Sequence, residues 1–244
     1  PTPVTAFFAT APKVAAMALL VRLVTDTFQS ITQDWQQIII FLSIASMVLA
    51  AFAAIGQKSI KRLIAYSSIG HVGFALVGLS SGTQVGVEGV AIYMAIYVAM
   101  TVGLFACILS LRTDAGYVEN IEDMRGAAQT RPFIAAIMAI IMFSLIGMPP
   151  LAGFFAKWHA FLAAVDAQLY LLAVIGVLAS AVSAFYYLRI VKIMYFDEPT
   201  REFEAAPAEL NIIMGVSGFL LVTYYFTVGG PLANFAHTAA GSLF

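Results

Sequence analysis

At 244 residues, with 61% hydrophobic and only 10% charged side chains and a mean hydropathy of +0.93, the chain is too apolar for a soluble domain and reads as an all-α polytopic membrane protein. A net charge of -1 with no long basic run excludes a nucleic-acid partner and leaves lipid as the first neighbour. The single cysteine, Cys107, excludes an internal disulfide and reads as a small core residue.

Seven apolar spans follow in order, over residues 4–24, 35–55, 63–80, 85–111, 132–165, 169–196 and 210–236. Between them lie polar or turn-forming stretches at Gln29-Ser30, Gly56-Gln57, Gly82-Thr83, 114–129 and 197–209. No low-complexity linker divides the chain, so residues 1–244 are expected to form one membrane domain. The sequence begins at Pro1 without a signal-peptide pattern, and is expected to be a piece of a longer protein.

The first span carries Pro12 and Lys13. Proline has no amide hydrogen, so Pro12 frees the carbonyl of Phe8 just ahead of the lysine. The third span holds Tyr66, Ser67 and Ser68 within five residues of His71, with both serine hydroxyls on or near the histidine face. Two readings of His71 stand side by side: a histidine satisfied by those serines that glues helices together, and a proton relay. Tyr93 and Tyr97, one turn apart in the fourth span, read as packing between helices.

The fifth span lies in RPFIAAIMAIIMFSLIGMPPLAGFFAKWHAFLAAVD, residues 131–166, which as one straight helix would measure about 54 Å against a hydrocarbon core of about 30 Å. It is expected to break at Gly147-Met148-Pro149-Pro150. The two prolines free the carbonyls of Leu145 and Ile146 near mid-membrane, and Lys157 follows the break. A broken helix beside a buried cation is how transporters build an ion site. His159, two residues beyond Lys157 but on another face, is a supporting candidate. Glu88 and Asp166 fall at span ends, where hydration is expected, and Arg189 and Lys192 end the sixth span as topology anchors.

Charge orients the spans. Lys58, Lys61, Arg62, Arg112, Arg125, Arg131, Arg189, Lys192 and Arg201 all fall at one side, and the other has only Arg22. The positive-inside rule places the rich side in the cytoplasm, with the N-terminal end cytoplasmic and the C-terminus periplasmic. Lys13 and Lys157 are left inside the bilayer. A lysine at the bilayer centre costs about 2.5–3.5 kcal/mol on insertion scales, and such residues face the protein interior and mark ion paths. Snorkelling to the headgroups is the bland alternative, but Lys13 lies about 15 Å of helix rise after Pro3, near mid-depth. The residues four before the two lysines, Ala9 and Gly153, are small, which is expected to leave room for water beside each amine. No phosphate loop, metal-ligand cluster, Ser/His/Asp set or haem or iron-sulfur spacing is present, so no cofactor, metal or covalent chemistry is expected in this chain.

Three stretches, PTPVTAFFATAPKVA, QKSIKRLIAYSSIGHVGFALVGL and FSLIGMPPLAGFFAKWHAF, together resemble the antiporter-like membrane subunits of respiratory complex I. The resemblance covers the whole chain and the second half of that family's fourteen-helix pattern. Lysine at 157, where the M-type carries glutamate, and an end at Phe244, where the L-type continues into a long lateral helix, place it nearest the N-type. The resemblance implies that Lys13, His71 and Lys157 form a proton relay. It also implies that residues 1–24 end one inverted repeat, that 35–196 form a second five-helix repeat with its broken helix at 132–165, and that 210–236 add a further helix. NADH, FMN, iron-sulfur clusters and quinone would sit in partner subunits. The M-type subunit and the membrane subunits of the quinone module would be neighbours, in the bacterial cytoplasmic (inner) membrane or its mitochondrial equivalent. The alternatives are a cation/proton antiporter subunit and a passive membrane scaffold. A seven-helix retinal protein, whose lysine lies on its last helix, is disfavoured because 210–236 has none.

Overall fold

The computed structural model describes residues 2–113 and 116–244. Pro1, where the chain is expected to enter from the cytoplasm, and Asp114, which opens the expected 114–129 connection, lie outside the described residues, as does Ala115. The architecture is all-α, with one two-residue antiparallel pairing of Arg112–Thr113 with Gly116–Tyr117 in a connection.

Among the described residues, five unbroken helices are long and apolar enough to cross a bilayer. They are α1 (Thr2–Arg22, continued by a wider turn over Leu23–Thr27), α2 (Thr32–Ile55), α3 (Ile60–Leu79), α4 (Gln84–Ser110) and α8 (Tyr170–Phe196). The short α5 (Ala127–Thr130) precedes a span made of two half-length helices, α6 (Pro132–Ile146) and α7 (Ala152–Asp166). Each of these has 15 residues, about 22 Å of rise, and neither crosses about 30 Å of hydrocarbon alone.

The expected single helix at 210–236 is instead a second pair, α9 (Ala208–Thr223) and α10 (Gly229–Gly241). The reason lies in Gly229-Gly230-Pro231. Pro231 cannot donate to the carbonyl of Thr227, and the two glycines weaken helix where the chain turns. The turn is held against α7 by Phe155, whose ring packs on Tyr224 at 5.5 Å and Tyr225 at 5.6 Å between centroids.

The most buried helices are α3 and α4, which form the centre of the bundle. The outer helices bury one face and turn Phe8, Phe41, Phe52, Leu171, Phe185 and Phe219 outward, as a lipid-facing surface requires. Close approach of α2 to α3 depends on Gly73, where an added Cβ would stand 2.7 Å from Cγ of Met47, and the Ser43 hydroxyl donates to the Gly73 carbonyl at 2.8 Å. At the Arg112 end the connections are laced by ion pairs. Glu122 meets Arg125 and Arg189, Asp197 meets Arg125 and Lys192, and Asp123 meets Arg201. Lys61 donates to Glu119 at 2.7 Å and holds that carboxyl below the usual carboxylate range. Arg189 and Lys192 are thus tied into a network. Individually such exposed pairs contribute about 0–1 kcal/mol.

Candidate functional site

The break between α6 and α7 begins at Gly147, whose φ of +91° is the left-handed conformation that suits glycine. The Gly147 amide donates to Ser144 O and the Met148 amide to Phe143 O at 3.1 Å, closing the helix end with the two bonds of a Schellman motif. The carbonyls of Leu145 and Ile146 are left over, and Lys157 takes both. Its Nζ donates to Leu145 O at 3.1 Å, to Ile146 O at 2.8 Å and to Oγ of Ser180, on α8, at 2.6 Å. Three acceptors match the three hydrogens of an ammonium. Ser180 also donates to Ile146 O at 3.1 Å, so one hydroxyl braces both the amine and the helix end.

Lys157 is 6% exposed, and among the described residues neither it nor Lys13 has a carboxylate within ion-pair distance. Dipoles rather than a counter-charge hold the amine. The Phe74 ring adds a cation–π contact, its centroid 4.5 Å from Nζ.

Phe74 also meets His71 edge-on, at 6.1 Å between centroids. His71 is buried at the bundle centre, with Nδ1 2.8 Å from the Tyr93 hydroxyl and Nε2 3.2 Å from the Tyr187 hydroxyl. A neutral imidazole donates from one nitrogen and accepts at the other, so the two phenols complete both. Tyr187 is in turn hydrogen-bonded to Ser67. On the other side of His71 the Tyr97 ring lies 5.5 Å away, and its hydroxyl donates to the carbonyl of Ala9 at 3.0 Å. Ser68 bonds that hydroxyl at 2.5 Å and accepts a hydrogen bond from Lys13 Nζ. Lys13, Ser68, Tyr97 and the backbone of α1 therefore form one chain of donors and acceptors.

The structure brings Ser67, Ser68, His71 and Lys157 into one buried row, with the half-buried Lys13 at its end. Two expected candidates stay outside it. Tyr66 is half-buried at the edge of the core, and His159 is half-buried on α7. The serines satisfy neither nitrogen of His71; Tyr93 and Tyr187 do, while Tyr97 bonds Ser68 and the Ala9 carbonyl, so Tyr93 and Tyr97 carry hydrogen bonds as well as packing between helices. Room for water above Gly153 is corrected too. An added Cβ there would stand 1.8 Å from Ser144 O, because the backbones of α6 and α7 touch, and the Gly153 amide donates to Ser144 Oγ at 3.0 Å.

Tyr187 and Ser180, unmarked in the sequence, are the principal additions. Replacing Ser180 by alanine leaves one ammonium hydrogen without its partner and removes a donor from Ile146 O. We expect Ser180→Ala to lower stability in detergent by about 1.5–3 kcal/mol, the range for a hydrogen bond to a charged group. Thermal unfolding of the full-length protein measures this, and an unchanged midpoint would leave the hydroxyl without a role.

Residues 1–183 match the family model described as NADH:quinone oxidoreductase/Mrp antiporter, transmembrane. The chain is 61% identical over 244 residues to NADH-quinone oxidoreductase subunit N of Azorhizobium caulinodans, covering 100% of this chain and 51% of that protein. It is 58% identical over 245 residues to subunit N 1 of Rhizobium meliloti, again over 100% of this chain and 51% of that one. Among solved structures, a chain in respiratory complex I from Thermus thermophilus with bound aureothin is similar at 32% identity and a TM-score of 0.80, over 95% of this chain and 51% of that one. The Mrp complex from Dietzia contains the same fold, with a TM-score of 0.89 at 19% identity, over 99% of this chain and 53% of that one. The chain spans about half the length of the curated relatives it matches. Lys13, His71, Lys157 and the break between α6 and α7 fall inside the matched residues, and the chain belongs to the NADH:quinone oxidoreductase/Mrp antiporter family of membrane proteins.

Proposed function

We propose that this chain is the Lys13-to-Lys157 half of a proton-translocating membrane subunit of a complex I-type NADH:quinone oxidoreductase. The observation that carries the reading is the row of buried polar groups from Lys13 through His71 to Lys157 in an otherwise apolar bundle. Lys13 would connect to the half of the protein that precedes it, His71 would relay, and Lys157 would be the terminal switch. In repeat terms, α2 to α8 form one five-helix unit, α1 closes the other, and α9 with α10 is an addition.

The chain's own residues supply proton handling only. NADH, FMN, iron-sulfur clusters and quinone belong to partner subunits, and quinone chemistry there would drive the cycle. An M-type subunit and the membrane subunits of the quinone module are the expected neighbours. The protein sits as a multi-pass protein in the bacterial inner membrane, with the basic Arg112 end toward the cytoplasm and the C-terminus toward the periplasm. Moving one charge against about 150 mV takes about 3.5 kcal/mol. Shuttling a lysine between a buried and a carboxylate-paired setting covers that cost.

The test uses vesicles holding the assembled complex built on the full-length protein. Proton uptake driven by NADH oxidation is expected to persist when sodium is replaced by choline and to fall by at least about tenfold in Lys13→Met. A requirement for sodium would replace this reading by a cation/proton antiporter, and wild-type uptake in Lys13→Met would leave Lys13 as packing.

A further inference from the structure

The row of groups around His71 and Lys157 does not use the other two of the chain's three histidines. Both lie near one acid. Nδ1 of His237, on α10, is 3.1 Å from Oε2 of Glu88, on α4. His159 is on α7, whose backbone there is packed on α4 at Gly89, next to Glu88, where an added Cβ would be 3.2 Å from His159 O. Glu88, His159 and His237 are thus carried by three helices that meet at the end of the bundle where α4 begins and α7 ends.

Depth favours exchange with water at this point. α4 has 27 residues, about 40 Å of rise, and overshoots a hydrocarbon core of about 30 Å by about 5 Å at each end. Glu88 is the fifth residue of α4 and so lies close to that boundary. Its side chain is 19% exposed, while that of His237 is 69% exposed. A mostly covered carboxylate joined to an open imidazole is an arrangement with an inner and an outer face.

We propose that Glu88, His159 and His237 form a proton-exchange site between the interior of the bundle and the aqueous phase at the Asp166 end. The proposal rests on the reading of the Lys157 helix as a proton carrier. A proton reaching Glu88 passes from its carboxyl to Nδ1 of His237 while the proton on Nε2 leaves to water. The imidazole gains one proton and loses one, and the carboxylate is restored. His159 is carried by the Lys157 helix where that helix packs on α4 beside Glu88, and its imidazole takes up a proton from the Lys157 side and hands it to the Glu88 carboxylate.

An ion pair that only pins α10 to α4 is the competing account, and glutamine separates the two. Glu88→Gln keeps an acceptor for Nδ1–H of His237 but cannot take up a proton. In vesicles carrying the assembled full-length complex, Glu88→Gln is expected to slow proton translocation roughly tenfold, less than the usual weight of a positioned acid or base because a neighbouring imidazole remains. His237→Gly is expected to be slowed similarly and restored by imidazole added on the side of the Asp166 end. Wild-type translocation in Glu88→Gln, or a slowed His237→Gly that imidazole does not restore, would overturn the proposal. Lys157→Met distinguishes the sources of failure. If it blocks translocation while Glu88→Gln runs at the wild-type rate, the exchange site alone is wrong. If both run at the wild-type rate, the underlying proton-carrier reading is wrong as well.

Discussion

Lys157→Met, introduced in the full-length protein, is expected to abolish proton translocation while the complex still assembles. Methionine keeps an unbranched chain as far as the ε-carbon and removes the amine with its charge. The stability cost is limited by the way the amine is held. Ile146 O keeps the donor it has in Ser180, whose hydroxyl stays bonded through that contact, so Leu145 O is the one of the two carbonyls left without a partner, at about 1–3 kcal/mol. No carboxylate is stranded by the change, since among the described residues none pairs with Lys157. Transfer through this point loses its only carrier and is expected to slow by at least about a hundredfold. Lys157→Arg is expected to fail too, because a guanidinium stays charged across the accessible pH range and is too broad for a three-acceptor site. Dye-monitored proton uptake, scaled to the assembled complex on native gels, reads both. Normal uptake in Lys157→Met would reduce the lysine to packing.

Gly153→Ala is expected to be the most damaging small change in the chain. The added methyl would sit 1.8 Å from Ser144 O and 2.6 Å from Ser144 C, and both are backbone atoms of the facing half-helix. No rotamer relieves the overlap. α6 and α7 would have to separate, and with them the Leu145 and Ile146 carbonyls from the Lys157 amine. Overpacking in a core costs about 1–3 kcal/mol where side chains can adjust, and here the cost is expected to reach at least about 4 kcal/mol, with little assembled complex recovered. Gly230→Ala is the control, with nothing within 4 Å of its added Cβ, and is expected to be neutral or slightly stabilising. Equal recovery of the two variants would contradict the close packing of the break.

The break itself was legible because its causes are local. Gly-Met-Pro-Pro stops a helix wherever it stands, and the loss of amide donors at Pro149 and Pro150 points directly to the Leu145 and Ile146 carbonyls that Lys157 fills. The spans from α1 to α8 were legible for the same reason, since a run of apolar residues long enough to cross carries its own signal. The partners of His71 were not. Tyr187 lies 116 residues away on another helix, and a tyrosine on an apolar helix looks the same whether its hydroxyl meets an imidazole or a headgroup. Ser180 is hidden likewise, because a serine within a span gives no sign of which face it occupies. Gly153 was visible but misread, since a small residue beside a lysine fits a water cavity and a backbone contact equally well. The last span fooled hydropathy because Leu220, Leu221, Val222, Phe226 and Val228 keep the average apolar through a turn that Gly229-Gly230-Pro231 imposes.

The carbonyls of Leu145 and Ile146 both finish α6 and hold the Lys157 amine, so the vibrational frequency of that helix end follows the state of the lysine. A carbonyl that loses a charged donor stretches at higher frequency. With carbon-13 placed at those two backbone positions, infrared difference spectra would read departure of the amine in real time, without a dye or an added probe. The helix terminus would then serve as an optical gauge built from two atoms of the main chain.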